Sequence, residues 1–135
     1  MARRKGVAAV PVLSEAEWKV MRCLWRKHPS SARDLLETLH AETRWAYTTL
    51  KTVLSRLVEK GAVTEKKRAN TSWYEPAIDE APARRSAVRS LLDRAFDGAL
   101  GSLVHFVLDA ESLSNKDRQA LAKMIEDAER RRKRA

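Results

Sequence analysis

One cysteine in 135 residues leaves no partner for an internal disulfide, so no covalent framework holds this chain together. Cys23 stands among Met21, Leu24 and Trp25, the setting of a small buried hydrophobe rather than a sensor. A lone thiol also suits a reducing compartment. The four glycines are scattered, so no Gly-rich loop is available to cradle a phosphate. His28, His40 and His105 have no metal-ligand spacing with Cys23 or with one another, and no nucleophile–base arrangement stands out. No apolar run reaches the roughly 18–20 residues that span a bilayer. VAAVPVL, interrupted by Pro11, is too short for a secretory core. The expectation is a cytoplasmic chain that is not an enzyme, carries no metal or cofactor, and does not insert into a membrane.

What the chain has in excess is positive charge, +9 net. Arg3, Arg4, Lys5 and the run Arg130 to Arg134 hold eight basic groups and no acids. Of the rest, residues 7–42 are neutral, residues 43–76 carry +4 and residues 77–129 carry −3. The surplus outside the termini is therefore concentrated in one segment.

That segment is RWAYTTLKTVLSRLVEKGAVTEKKRANTSWYEP, Arg44 to Pro76. Leu50, Val53, Leu54 and Leu57 recur at i, i+3, i+4, i+7, the buried face of a helix over roughly Tyr47 to Lys60. Thr48, Lys51, Thr52, Ser55 and Arg56 fall on the other face, and all can donate hydrogen bonds. Gly61 suits the position just past the helix end. Strands are expected at Ala62 to Lys66 and Ser72 to Glu75, around a polar turn over Lys67 to Thr71, with Val63 and Trp73 packing back onto the helices. A helix with a donor-rich face followed by a basic hairpin suits the major groove of DNA.

Two capped helices precede it. Ser14 and Glu17 form a capping box, and the helix they open ends near His28, before Pro29. Trp18, Met21, Leu24 and Trp25 form its apolar face. Ser31 and Asp34 repeat the cap for a second helix, with Ala32, Leu35, Leu36 and Leu39 inward. The expected fold is mainly α with a small β-wing. It comprises a flexible basic arm (1–12), a winged helix-turn-helix (13–78), a helical region (79–129) and a basic tail (130–135).

Pro76 and Pro82 bracket a linker, after which helical patterning resumes from Ala83. Leu91, Leu92 and Phe96 belong to one apolar stripe, and Gly98 and Gly101 weaken or bend the helix there. Leu103, Val104, Val107 and Leu108 lie in a short apolar helix. Ser114 to Asp117 caps a last helix with Leu121, Met124 and Ile125 on one face. These helices have too little mass to close a core alone, and a second copy of the chain is their expected cover. A two-fold dimer would set two reader helices about 34–36 Å apart, on successive major grooves.

Thr48, Lys51 and Thr52, near the start of the third helix, are the candidates for base-edge contact. Arg44 and Arg56 are candidates for phosphates, and Tyr47 for stacking or for donating its hydroxyl to a phosphate. Lys67 and Arg68 on the wing should reach the backbone or the minor groove. The start of the second helix, around Ser31, would offer free N–H groups to a phosphate.

The ordered pieces LSEAEWKVMRCLW, SSARDLLETL, the stretch from Trp45 to Gly61, the Trp73-Tyr74 and Pro76 wing end, and DGALGSLVHFVLDAESLS resemble the BlaI/MecI family. These are penicillinase and methicillin-resistance repressors, and the likeness runs over about residues 10–128. The resemblance implies an N-terminal winged helix, a C-terminal dimerisation region and palindromic operators. It also implies repression of genes such as those for β-lactamase, relieved by proteolysis in the dimerisation region under a membrane-bound sensor protease. Aligned on Ser102-Leu103-Val104, the family's scissile Asn-Phe bond falls at Phe106-Val107. The chemically nearer pair is His105-Phe106, and neither is Asn-Phe. The copper-responsive relatives' C-terminal cysteine cluster is replaced here by RRRKRA. Two other readings stay open at this point: a winged-helix scaffold for protein contacts, and a regulator that senses a small molecule.

Overall fold

Capping boxes open the first two helices. A computed structural model describes residues 10–109 and 114–134. In it Ser14 Oγ accepts the Glu17 N–H at 3.2 Å, and the Glu17 carboxylate accepts the Ser14 N–H at 2.7 Å. This opens α1 (Glu15–Arg26). Ser31 and Asp34 repeat the exchange at 3.1 and 3.2 Å to open α2 (Ala32–Thr43). Each box satisfies two donors that a helix start otherwise leaves orphaned. After Arg44–Ala46 comes α3 (Tyr47–Glu59). Beyond it Gly61, at φ +81°, turns the chain so that the Ala62 N–H reaches the Leu57 carbonyl at 2.9 Å.

The four positions of α3 that the spacing turns inward, Leu50, Val53, Leu54 and Leu57, are buried, and Val58 beside them is half-buried. They join one core with Val20, Met21 and Leu24 of α1 and Leu35 and Leu39 of α2. The buried row of α1 differs from the expected one. Glu17, Val20, Met21 and Leu24 point inward, while Trp18 and Trp25 are half-buried and pair with ring centroids 5.9 Å apart. Trp25 keeps its indole N–H satisfied by donating to the Ile78 carbonyl at 2.9 Å, which a fully inward position would not allow. Leu36 is likewise only half-buried.

Glu17 is buried at 2% exposure because it has a cationic partner. Lys60 Nζ lies 2.6 Å from its carboxylate and also donates to the Val12 carbonyl at 2.8 Å. The pair ties the start of α1 to the end of α3. Burial pushes the Glu17 carboxyl up, but the Lys60 ammonium and the Ser14 N–H outweigh it and leave it below the usual glutamate value.

Three strands form an antiparallel sheet in the order β1 (Ser30–Ser31), β3 (Thr71–Pro76), β2 (Val63–Arg68). Arg68 pairs with Thr71, so the turn is only Ala69-Asn70, shorter than the five residues expected. Both lie at positive φ, 49° and 69°, as a two-residue hairpin turn matched to strand twist requires. The register places Glu65 opposite Tyr74 and Val63 opposite Pro76 on one face. Tyr74, 2% exposed, is therefore the wing residue that enters the core beside Val63. Trp73, expected there, falls on the opposite face and is half-buried.

α4 (Glu80–Ala95) begins before Pro82 rather than after it. The proline sits in the first turn, where its missing N–H has no intrahelical use. The helix stops at Asp97-Gly98, both at positive φ, with the Gly98 N–H returning to the Leu92 carbonyl at 2.8 Å. α5 (Leu100–Asp109) follows and contains Gly101. α6 (Asn115–Arg134) opens where Ser114 Oγ accepts the Asp117 N–H at 3.0 Å. It continues through the basic run that was expected as a tail. The chain divides into two compact units, with the division between residues 88 and 89, inside α4.

Leu92 is buried within its own chain at 4% exposure, which removes it from the expected dimer contacts. Phe96 and Phe106 pair with ring centroids 5.9 Å apart. Leu91, Phe106, Met124 and Ile125 are exposed, while Leu103, Val104, Val107, Leu108 and Leu121 are half-buried. Among the described residues no helix is long and apolar enough to cross a membrane.

Glu17→Ala leaves the Ser14 N–H without its acceptor and the Lys60 ammonium with only the Val12 carbonyl, and should cost about 2 kcal/mol, the low side for a buried pair because Lys60 is partly exposed. Urea unfolding at neutral pH reads this directly. Because the Glu17 value is depressed, its contribution is complete above the unfolded glutamate value of about 4.3 and fades as pH falls through the folded one. Glu17→Gln should therefore lose less stability than the parent between about pH 5 and 3. Parallel losses would remove Glu17 from the acid response.

Candidate nucleic-acid interface

Burying the apolar row of α3 turns the opposite row outward. Thr48, Thr49, Thr52, Ser55 and Arg56 are exposed, as is Tyr47 at the first turn. The Thr52 hydroxyl donates to the Thr48 carbonyl at 3.0 Å. Its proton is thus held within the helix, and what Thr52 offers outward is a methyl group and acceptor lone pairs. Unlike α1 and α2, α3 has no side-chain cap: Ala46 precedes it.

The turn into α3 is braced. The Thr43 hydroxyl donates to the Leu39 carbonyl at 3.0 Å and accepts the Trp45 N–H at 3.2 Å. Trp45 packs against the core. Between them Arg44 is held at φ 55°, a left-handed conformation uncommon for a residue with a Cβ, and its side chain is exposed. The fold thus places an arginine where glycine would be easier.

On the wing, Lys66, Lys67 and Arg68 are all exposed. They lie in β2 itself rather than in the turn, so strand alternation splits them: Lys67 shares the Tyr74 face, and Lys66 and Arg68 share the Trp73 face. Lys66 belongs with the basic set although sequence reasoning singled out only its two neighbours. A basic run inside a strand was the available signal.

Lys51 behaves differently from the threonines beside it. It is half-buried, and its ammonium donates to the Tyr74 hydroxyl at 2.9 Å. That hydroxyl in turn donates toward Glu65 Oε2 at 3.4 Å. The Lys51 nitrogen is 5.6 Å from the ring centroid, which fits a contact at the hydroxyl end rather than over the ring face. The Tyr74 bond, and the Glu65 charge beyond it, hold the Lys51 ammonium above the ordinary lysine value, so it stays charged at neutral pH. α3 and the wing are therefore linked through the side chain expected to read a base. Tyr74 and Glu65 escaped sequence reasoning, because 23 residues separate Lys51 from Tyr74 and only the register aligns them.

Around Ser31 the capping box takes up two of the N–H groups expected for a phosphate. The Ser31 N–H donates to Asp34 Oδ2 and the Asp34 N–H to Ser31 Oγ, so the capping box occupies both and places a carboxylate there. Ser31 is also buried, its backbone paired with Trp73. His105, Phe106 and Val107 lie in the second unit, inside α5, where His105 Nε2 is 3.5 Å from Asp109. Among the described residues no cluster of three or more His, Cys, Asp or Glu side chains could hold a metal ion.

The structure thus brings Thr48, Lys51, Thr52 and Arg56 together on one helix, sets Arg44 and Tyr47 at its entrance, and joins Lys67 and Arg68 to it through the wing. Comparison with known proteins bears on this arrangement. A family model described as penicillinase repressor matches residues 13–127. A penicillinase repressor of Bacillus licheniformis is 30% identical over 92% of this chain and 97% of its own length. The methicillin resistance regulatory protein MecI of Staphylococcus aureus strain N315 is 26% identical over 84% of this chain and 92% of its own. The solution structure of the DNA binding domain of the repressor BlaI superposes with a TM-score of 0.50 at 31% identity, over 55% of this chain and 90% of that one. The expected resemblance and the winged-helix fold are both met, in a family of repressors rather than enzymes: the chain belongs to the penicillinase repressor family.

Proposed function

We propose that this chain is a dimeric, sequence-specific DNA-binding repressor of transcription that recognises palindromic operators. One observation carries the reading: α3 buries Leu50, Val53, Leu54 and Leu57 and exposes Thr48, Thr52, Ser55 and Arg56, with Lys51 half-buried among them, beside a hairpin with three consecutive exposed cations. A helix of that kind fits the major groove, and flanking cations fit phosphates. Membership in a family whose relatives are named as repressors supports the same reading.

In this reading Thr48, Thr52 and Lys51 address base edges. Thr52, with its proton held by Thr48, suits a thymine methyl or a base donor. Arg44, Arg56 and Tyr47 hold phosphates, and Lys66, Lys67 and Arg68 hold the backbone or minor groove beyond. Residues 13–78 are the reader, and residues 79–129 join two copies. Support for the dimer is the exposed apolar set Leu91, Phe106, Met124 and Ile125, with Phe96, Leu103, Val104, Val107, Leu108 and Leu121 half-buried among them. Genes of the β-lactam resistance class are the proposed targets, after the relatives' names. Release follows loss of the dimer, through a sensor protease acting near His105, Phe106 and Val107 or through another signal. Cleavage there requires α5 to unwind first, because all three residues are helical.

Selection of bound duplexes from a random pool at physiological salt should recover an inverted repeat. Recovery of no motif would favour a winged-helix scaffold for protein contacts. Arg68→Ala should weaken binding to every sequence alike and lower the slope of log affinity against log salt by about one. An unchanged slope would take Arg68 off the DNA. Arg44→Gly should raise stability by about 1 kcal/mol, by relieving the left-handed arginine, while weakening DNA binding. Thermal unfolding and a binding titration of the same variant should therefore move in opposite senses. A loss in both would make Arg44 structural.

A further inference from the structure

The Lys51–Tyr74–Glu65 chain is not needed to hold the wing. The hairpin already has a six-pair ladder, and Val63 and the Tyr74 ring are already buried. What the chain does is fix a charge. A lysine on an exposed helix face is a flexible point charge that can settle on whichever phosphate is near. Here the ammonium is held at 2.9 Å by a hydroxyl whose ring is 2% exposed and cannot move without disturbing the core. The hydroxyl's own proton is directed toward Glu65, its cross-strand partner, which leaves the oxygen lone pairs facing Lys51. Only one of the three ammonium protons is occupied by Tyr74, so two remain for a ligand.

The geometry points to Tyr74 as a specificity-determining positioning residue. From the wing it aims the two remaining Lys51 protons at a base edge, with Glu65 orienting its hydroxyl. This rests on the DNA-reading assignment above. It means that sequence preference at one operator position is set by a residue outside the reader helix. Ordering the side chain before DNA arrives also removes part of the entropic cost of a lysine contact. The raised Lys51 value agrees with a contact that keeps the ammonium charged throughout the working pH range.

The test compares binding of the full chain to its selected duplex and to a scrambled duplex. Tyr74→Phe removes the hydroxyl and keeps the ring. It should lower the ratio of the two affinities roughly tenfold and leave the salt slope unchanged, because no charge is lost. Lys51→Ala should lower the ratio similarly, and the double variant should lose no more than Lys51→Ala alone. Full discrimination by Tyr74→Phe, or losses that multiply in the double variant, would overturn the assignment of Tyr74 while the DNA-reading function stands. A parent chain that does not discriminate at all would overturn both. Should Tyr74→Phe unfold, Glu65→Ala, which removes the acceptor of the Tyr74 hydroxyl proton from an exposed strand position, takes its place: a reduced ratio at unchanged thermal midpoint supports the relay, and a full ratio refutes it.

Discussion

A helix in a small domain can hide only one side, and most of this chain's organisation follows from which side α3 hides. Leu50, Val53, Leu54 and Leu57 fill the space between α1 and α2. Burying four such side chains contributes on the order of 1.5–3 kcal/mol each. That is far more than the exposed row could gain from any other orientation, so the threonines, Ser55 and Arg56 have no alternative to solvent. Rotating α3 by one residue would bury Thr49 or Lys51 and expose a leucine. The same packing that stabilises the domain therefore sets the direction in which its polar groups face. The caps on α1 and α2, the braced turn at Thr43–Trp45 and the Glu17–Lys60 pair are devices that keep α3 in that orientation.

Features that depend on neighbours three or four residues away were legible in the amino-acid order. The capping pairs Ser14–Glu17 and Ser31–Asp34, the apolar row of α3, the stop at Gly61 and the cap at Ser114 all have short-range causes and all form as expected. Features that depend on register did not show. Trp73 and Tyr74 are adjacent aromatics, and strand alternation sends one inward without saying which. The pairing of Val63 with Pro76 and Glu65 with Tyr74 decides it. The Lys51 contact, the half-exposed tryptophans of α1 and the two-residue β1 are legible only once the tertiary arrangement exists. Ser31 is an intermediate case: its cap was read correctly, but a satisfied cap leaves less for a phosphate.

The two halves of the chain differ in how completely they cover their apolar surface. In the first unit the buried residues form a single closed core around α3. In the second, Leu92 is buried, while apolar side chains on α4, α5 and α6 remain open to solvent. Charge also changes along the chain, with the net +4 of residues 43–76 giving way to −3 over residues 77–129, although not at the same boundary. The helical continuation of α6 through Arg134 adds a second cationic site, partly neutralised where Arg130 meets Glu126 and Asp127.

The wing's turn has a consequence for how relatives of this chain can vary. Ala69-Asn70 closes the hairpin with no spare residue, and β2 and β3 run in step from there to the core. An addition to one strand alone would exchange Tyr74 for Trp73 beneath the sheet and detach Lys51 from its anchor. Additions at the tip of two residues per strand would keep a hydrogen-bonded pair beneath the turn and leave the base untouched. Each such addition would carry the turn outward by about 6.6 Å. Wing length in this architecture therefore has a built-in step, and the hairpin can lengthen by it without disturbing the contacts at its root.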